Sequence, residues 1–177
     1  MERKPRLFDW YSGAADGRAR YAIGRRGTNP LVVVGLNPSR ADPWHSDTTL
    51  SKVAGFAQRM GHGGFVVFNL YPWRATCPDD LPTVADPRLL RRNTDCIARF
   101  LRGTPNPTVW AAWGDPIDKR PYLFSSLARI RLRLDRTGCR WIHLGPLTAK
   151  GHPRHPSRLA YASPARSFDV AAYLSAR

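Results

Sequence analysis

The chain has 177 residues, enough for one compact domain with a full core and too few for two domains of ordinary size. Hydrophobic residues make up 42% and aromatics 11%, which excludes an intrinsically disordered chain. Lys and Arg number 28 against 13 Asp and Glu, and the net charge of +15 points to a polyanionic partner, nucleic acid or an anionic surface, over a small neutral ligand.

Residues 1–6 are charged and run into no apolar stretch, so no secretory signal is expected and a cytoplasmic location is. The first 30 residues are irregular, apart from residues 18–24, which suit an edge strand. Residues 31–36 form the first short apolar run and read as a buried strand. A helix follows over residues 48–60, with Leu50, Val53, Ala54, Ala57 and Met60 on one face at three- and four-residue spacing. Residues 65–70 are the second buried strand, and residues 88–101 the second helix, through Leu89, Leu90, Ile97, Phe100 and Leu101. Residues 108–113 and 140–144 repeat the strand pattern around a helix over residues 122–134, whose apolar side is Leu123, Leu127, Ile130 and Leu134. Arginines within 129–136 fall on its other face, as a second polyanion contact or a solvated surface. Ser167 reads as the N-cap of a last short helix through Phe168, Ala171 and Leu174.

Strands alternating with helices predict an α/β fold: a three-layer αβα domain around a central, mainly parallel, four-stranded twisted sheet. There is no internal repeat and no linker, so residues 1–177 read as a single domain. No apolar run approaches the ~20 residues of a membrane span. The three cysteines, Cys77, Cys96 and Cys139, are odd in number and form no CxxC, which argues against disulfides, structural zinc and an iron–sulfur cluster. No G-x-G-x-x-G follows any strand and there is no P-loop, so no nucleotide cofactor is expected.

Each strand runs directly into a polar, proline-bearing segment. The first gives Gly35-Leu36-Asn37-Pro38-Ser39, the second Asn69-Leu70-Tyr71-Pro72-Trp73-Arg74, and the third Trp113-Gly114-Asp115-Pro116. The fourth leads through Gly145-Pro146 to Gly151-His152-Pro153-Arg154-His155-Pro156-Ser157. In an open α/β sheet, ligands bind beyond the carboxyl ends of the strands, so these segments define a site by position alone.

This set resembles the uracil-DNA glycosylase superfamily. A Gly-x-[Asp/Asn]-Pro turn after the first strand is Gly35-Leu36-Asn37-Pro38, an apolar strand ending in Asn is Val66-Val67-Phe68-Asn69, a Trp-Gly pair is Trp113-Gly114, and a His-Pro-Ser-x-Leu motif is His155-Pro156-Ser157-Arg158-Leu159. The order and rough spacing match across about residues 30 to 160. The chain also looks like a family of small bacterial proteins long catalogued as a domain of unknown function, with a GLNPS…PRHP signature. The resemblance implies a uracil-DNA glycosylase-like fold, and a monofunctional, metal-independent enzyme that hydrolyses the N-glycosidic bond of uracil in DNA and leaves an abasic site.

It also implies roles. Asn69 pairs with the edge of a flipped base, because an amide offers both a donor and an acceptor. His155 donates to a pyrimidine oxygen as negative charge develops there, with His152 as a substitute. Leu159 is the wedge that enters the duplex where the base has left. Asn37 stands where the best-known branch has Asp; it can orient a water but not take its proton. Asp42 or Asp47, in the same loop, is then the source of the missing carboxylate, with Asp42 assigned to catalysis. Ser39 replaces a tyrosine that blocks a 5-methyl group, which widens the base range towards hydroxymethyluracil, xanthine or a modified cytosine. Leu36 and Tyr71 join the base pocket. Trp44, Tyr71 or Trp73 stacks the base, at roughly 1–3 kcal/mol. Arg40, Arg74, Lys150, Arg154, Arg158 and Ser157 are the expected DNA-phosphate contacts, each neutralised phosphate adding about −0.9 to the log–log salt slope.

The implied partner is DNA, bound by a monomer, with no membrane, metal or cofactor. Two other readings stay open: a non-catalytic or slow-turnover binder of abasic or damaged DNA, and an enzyme acting on free nucleotides, which the charge disfavours.

Overall fold

The computed structural model describes residues 7–177; residues 1–6, read above as carrying no export signal, lie outside the described residues. In chain order the strands are β1 (Trp10–Gly13), β2 (Arg20–Arg25), β3 (Leu31–Gly35), β4 (Phe65–Asn69), β5 (Thr108–Ala111), β6 (Arg140–Leu144) and β7 (Ala165–Ser167). The helices are α1 (Thr48–Arg59), α2 (Pro87–Leu101), α3 (Tyr122–Asp135) and α4 (Val170–Ser175).

All of these strands join one sheet in the order β1-β2-β4-β3-β5-β6-β7. Its centre is parallel: β3 lies between β4 and β5, and β5 pairs on with β6. On one side β2 runs antiparallel to β4 and β1 to β2; on the other, β7 runs antiparallel to β6. The expected four-stranded sheet is thus corrected to seven strands. The four expected strands are the parallel ones, covered on both faces and therefore readable as continuous apolar runs. Residues 18–24 were expected at an edge; β2 instead lies inside the sheet, with β1 forming the edge.

Strand alternation sends side chains to two cores. Val33, Val67, Trp110 and Ile142 pack with Leu50, Val53 and Phe56 of α1 and with Phe8 and Leu159. Val32, Val34, Val66, Phe68 and Val109 pack with Ile97 of α2, Leu123, Leu127 and Ile130 of α3, and Val170 and Tyr173 of α4. Helices therefore cover both faces of the sheet.

The helix starts follow ordinary capping chemistry. Asp47 accepts from Leu50 N at 2.9 Å to cap α1, and Asp86, followed by Pro87, caps α2 through Arg88 N. The last helix is capped by Asp169, which accepts from Ala172 N at 2.9 Å, and not by Ser167, which belongs to β7. An Asp two residues further on matches the true first turn, and Ser167 is taken by pairing with Ile142. No helix among the described residues is long and apolar enough to cross a membrane.

Candidate functional site

β4, β3, β5 and β6 direct their carboxyl ends to one rim, where the segments that follow them enclose a cavity of about 770 Å³. After β3 its walls are Leu36, Asn37 and Ser39; after β4, Asn69, Ala75 and Thr76. After β5 they are Trp113, Gly114 and Asp115; after β6, Thr148 and the run from Arg154 to Arg158. Arg20 of β2 and Asp47 at the start of α1 complete it.

Backbone hydrogen bonds tie these segments in pairs. Tyr71 N donates to Leu36 O at 3.1 Å and Ala75 N to Pro38 O at 2.9 Å, joining the first two segments. Gly114 N donates to Pro153 O at 2.9 Å, joining the last two. Gly114 has φ 70° and ψ −177°, a conformation open essentially to glycine alone, so the Trp-Gly pair is a geometric requirement of this junction. A Cβ on Gly35 would lie 2.8 Å from Asn69 Oδ1, so the glycine that ends β3 makes room for the asparagine that ends β4. These two residues are register partners.

Asn69 is 3% exposed, and its Nδ2 has no hydrogen-bond partner. A buried amide nitrogen left unpaired costs about 1–3 kcal/mol. Asn37 is fixed differently. Its Nδ2 donates to Ala75 O at 2.8 Å and to Pro38 O at 3.1 Å, which leaves Oδ1 as the acceptor it brings to the cavity.

His155 caps the short 3₁₀ turn Pro156–Arg158, its Nδ1 accepting from Ser157 N at 3.4 Å and lying 2.8 Å from Ser157 Oγ. With Nδ1 accepting, a neutral imidazole carries its proton on Nε2. Burial pulls this imidazole below its ordinary pKa, against the charge of Asp47 and helped by Arg158. His143 on β6 is lowered by burial as well. A native pKa below the unfolded one means that the unfolded chain binds more protons, so stability rises with pH. The contribution is complete above the unfolded imidazole value of about 6.5 and is lost as pH falls through the native values. A melting-temperature profile should therefore decline below pH ~6.5, and His155→Asn should flatten it.

Two carboxylates line the cavity, Asp47 and Asp115. Asp115 accepts from Thr148 Oγ1 at 2.5 Å. Asp47 acts electrostatically on both Arg20 and His155. Asp42, the carboxylate assigned to catalysis from sequence, does not line the cavity. It accepts from Trp44 N and His45 N at 2.8 Å and from His45 Nδ1 at 2.9 Å. Burial acts to raise its pKa, but these bonds outweigh it and hold the carboxyl below the ordinary value. Asp42 is a turn residue, and Asp47 takes its place as the candidate carboxylate.

Further expectations are corrected by position. Tyr71 is 1% exposed, faces the helical core beside Tyr122 with ring centroids 5.0 Å apart, and accepts from Asp86 N at 2.9 Å. It is not a wall of the cavity, and neither are Trp44 and Trp73; Trp113 is the tryptophan that lines it. Leu159 is 5% exposed and packs in the α1-side core, while Lys52 Nζ holds its carbonyl at 2.9 Å, so it does not project as a wedge. Arg74 is tied down, donating to Arg40 O at 2.9 Å and to Tyr11 OH at 3.3 Å. Arg40, by contrast, is exposed, its Nε donating at 3.4 Å to Thr76 Oγ1 in the wall of the cavity. His152 is fully buried away from it. Trp113 Nε1 can only donate, so Tyr173 OH accepts from it at 3.2 Å and gives its own proton to His152 Nδ1 at 2.7 Å. Nε2–H of His152 then donates to Asp118 Oδ2 at 3.1 Å, where Lys150 is also paired.

A protein-family model described as a protein of unknown function (DUF1643) matches residues 20–157. The chain belongs to this family. The DUF1643 match opens on Arg20 and closes on Ser157, and it contains every residue of the cavity wall except Arg158. Comparison with curated proteins and with solved structures gave no match.

Sequence reasoning had brought Asn37, Asn69, Ser39, Leu36, His155, Arg154, Ser157 and Arg158 to this site, and all of them line the cavity. It missed Arg20. The signal was present as one arginine inside an otherwise apolar strand start, Ala19-Arg20-Tyr21-Ala22-Ile23. Among the described residues, no group of three or more His, Cys, Asp or Glu side chains is placed to hold a metal ion.

Proposed function

We propose that this DUF1643 protein is a monofunctional DNA glycosylase with a uracil-DNA glycosylase-like αβα fold, hydrolysing the bond between deoxyribose and uracil or a related base without a metal and leaving an abasic site. The observation that carries this reading is the unpaired, buried Asn69 amide in the wall of the same cavity as His155 and Asn37. The Asn69 amide, a donor and an acceptor on one group, pairs with the edge of the extruded base. His155, protonated on Nε2, donates to the oxygen on which charge builds as the bond breaks. Asn37 Oδ1 orients the water, and Asp47 offsets the positive charge on the sugar and receives the water's proton. Arg154 and Arg158, at the mouth, meet the phosphates either side of the extruded nucleotide, and Ser39 leaves space for a 5-substituent.

One labelled oligonucleotide with a single uracil, single- and double-stranded, tests the reading in EDTA followed by alkali. Strand cleavage that is lost in His155→Ala is expected. Tight, salt-sensitive binding to abasic DNA without cleavage would replace the enzyme by a lesion binder. Neither cleavage nor binding would remove DNA as the substrate. In the same assay Asp42→Asn should retain near wild-type rates, whereas Asp47→Asn should lower them about 10²-fold, the ordinary weight of a positioned acid–base group.

A further inference from the structure

Arg20 is the strongest charged feature of the cavity that the reading above leaves unused. It is 3% exposed, and it lines the cavity from β2. Its NH1 donates to Ala41 O at 2.7 Å, its Nε is buried without a partner, and no ion pair joins it to a carboxylate among the described residues. Structural arginines are buried with a paired carboxylate and a satisfied fork. This one has neither, and it lines a cavity that Asn69 lines as well.

We propose that Arg20 is an anion-binding residue of the cavity, its guanidinium facing an oxygen of a heterocyclic base that carries negative charge. Under the glycosylase reading, on which a role in the reaction rests, that charge arises in the bond-breaking step. The C1′–N bond breaks with its electron pair left on the base, the water oxygen bonds to C1′, and the proton the water loses passes to Asp47 and from there to the base. The base is anionic in between, and a fixed guanidinium in a dry site stabilises it without reorganisation. Burial lowers the Arg20 pKa to about 10, against the nearby charge of Asp47, which leaves it a cation at neutral pH.

The probe is 5-nitrouracil, a uracil already ionised at neutral pH, compared with neutral uracil in equilibrium binding to the full chain. Wild type should prefer the anion. Arg20→Gln should lower the ratio of the two affinities about 10- to 100-fold, the weight of a hydrogen bond to a charged group. Arg20→Lys should keep the preference. The ratio matters because a loss of packing around Ala41 would weaken both ligands together and leave it unchanged. In DNA, Arg20→Gln should slow excision of uracil more than that of the more acidic 5-fluorouracil. An unchanged ratio in Arg20→Gln, an equal loss in Arg20→Lys, or no anion preference in wild type overturns the proposal, whatever happens to uracil-containing DNA. Anion binding that depends on Arg20 in a protein that cleaves no uracil-containing DNA keeps this site and removes the glycosylase reading instead.

Discussion

Asn69→Ala should reduce uracil excision about 10²–10³-fold, the range for removing one donor aimed at a reacting group, and should leave the fold intact. The two effects separate because the side chain contributes little to the folded state. Asn93 Nδ2 holds the backbone carbonyl of Asn69 at 2.8 Å, and that bond survives the substitution. The amide nitrogen it removes has no partner to lose. Taking away an unsatisfied buried donor is neutral or mildly stabilising. Single-turnover kinetics on uracil-containing DNA, together with denaturation of the same sample, check both halves. A variant that cleaves normally would disconnect this residue from the chemistry, and one that unfolds would show it to be structural.

Trp113→Ala should have the opposite profile, destabilising the protein by about 3–5 kcal/mol, the usual cost of removing a large buried aromatic. Trp113 is 1% exposed and meets Trp141, Phe168 and Tyr173 at ring-centroid distances of 6.3, 5.9 and 5.8 Å. Its loss opens a cavity and also takes the donor from Tyr173 OH. Urea denaturation gives the value directly. Tyr173→Phe is the milder companion: it strands Trp113 Nε1 and His152 Nδ1 and should cost about 1–3 kcal/mol, the penalty for unsatisfied buried groups. Full activity with normal stability in Trp113→Ala would mean that the pair after β5 does not brace the cavity.

The parts of the fold readable from sequence are those that burial writes into side-chain type. β3, β4 and β5 are wholly buried, and β6 all but its first residue, so their apolar runs stand out. β7 is fully exposed and three residues long, and β1 is no more than half-buried; both exist through edge pairing, which leaves no apolar run. The site divides in the same way. Asn37, Asn69 and His155 sit at fixed offsets from strand ends, so a strand assignment places them. Choosing between Asp42 and Asp47 needs the loop's path, since both are short acidic residues before a helix. Leu159 needs it too: the turn Pro156–Arg158 directs it inward onto α1, and no local pattern shows that.

Backbone bonds tie the four loops two by two, so the mouth has two braced lips and not four loose ones. Under the proposed function, these braced lips leave much of the work of extruding a nucleotide to the DNA. Substrates should be ranked by how readily they surrender a base: unpaired strands first, uracil opposite guanine next, and uracil opposite adenine last. Such an enzyme would patrol for bases that have already slipped out of line.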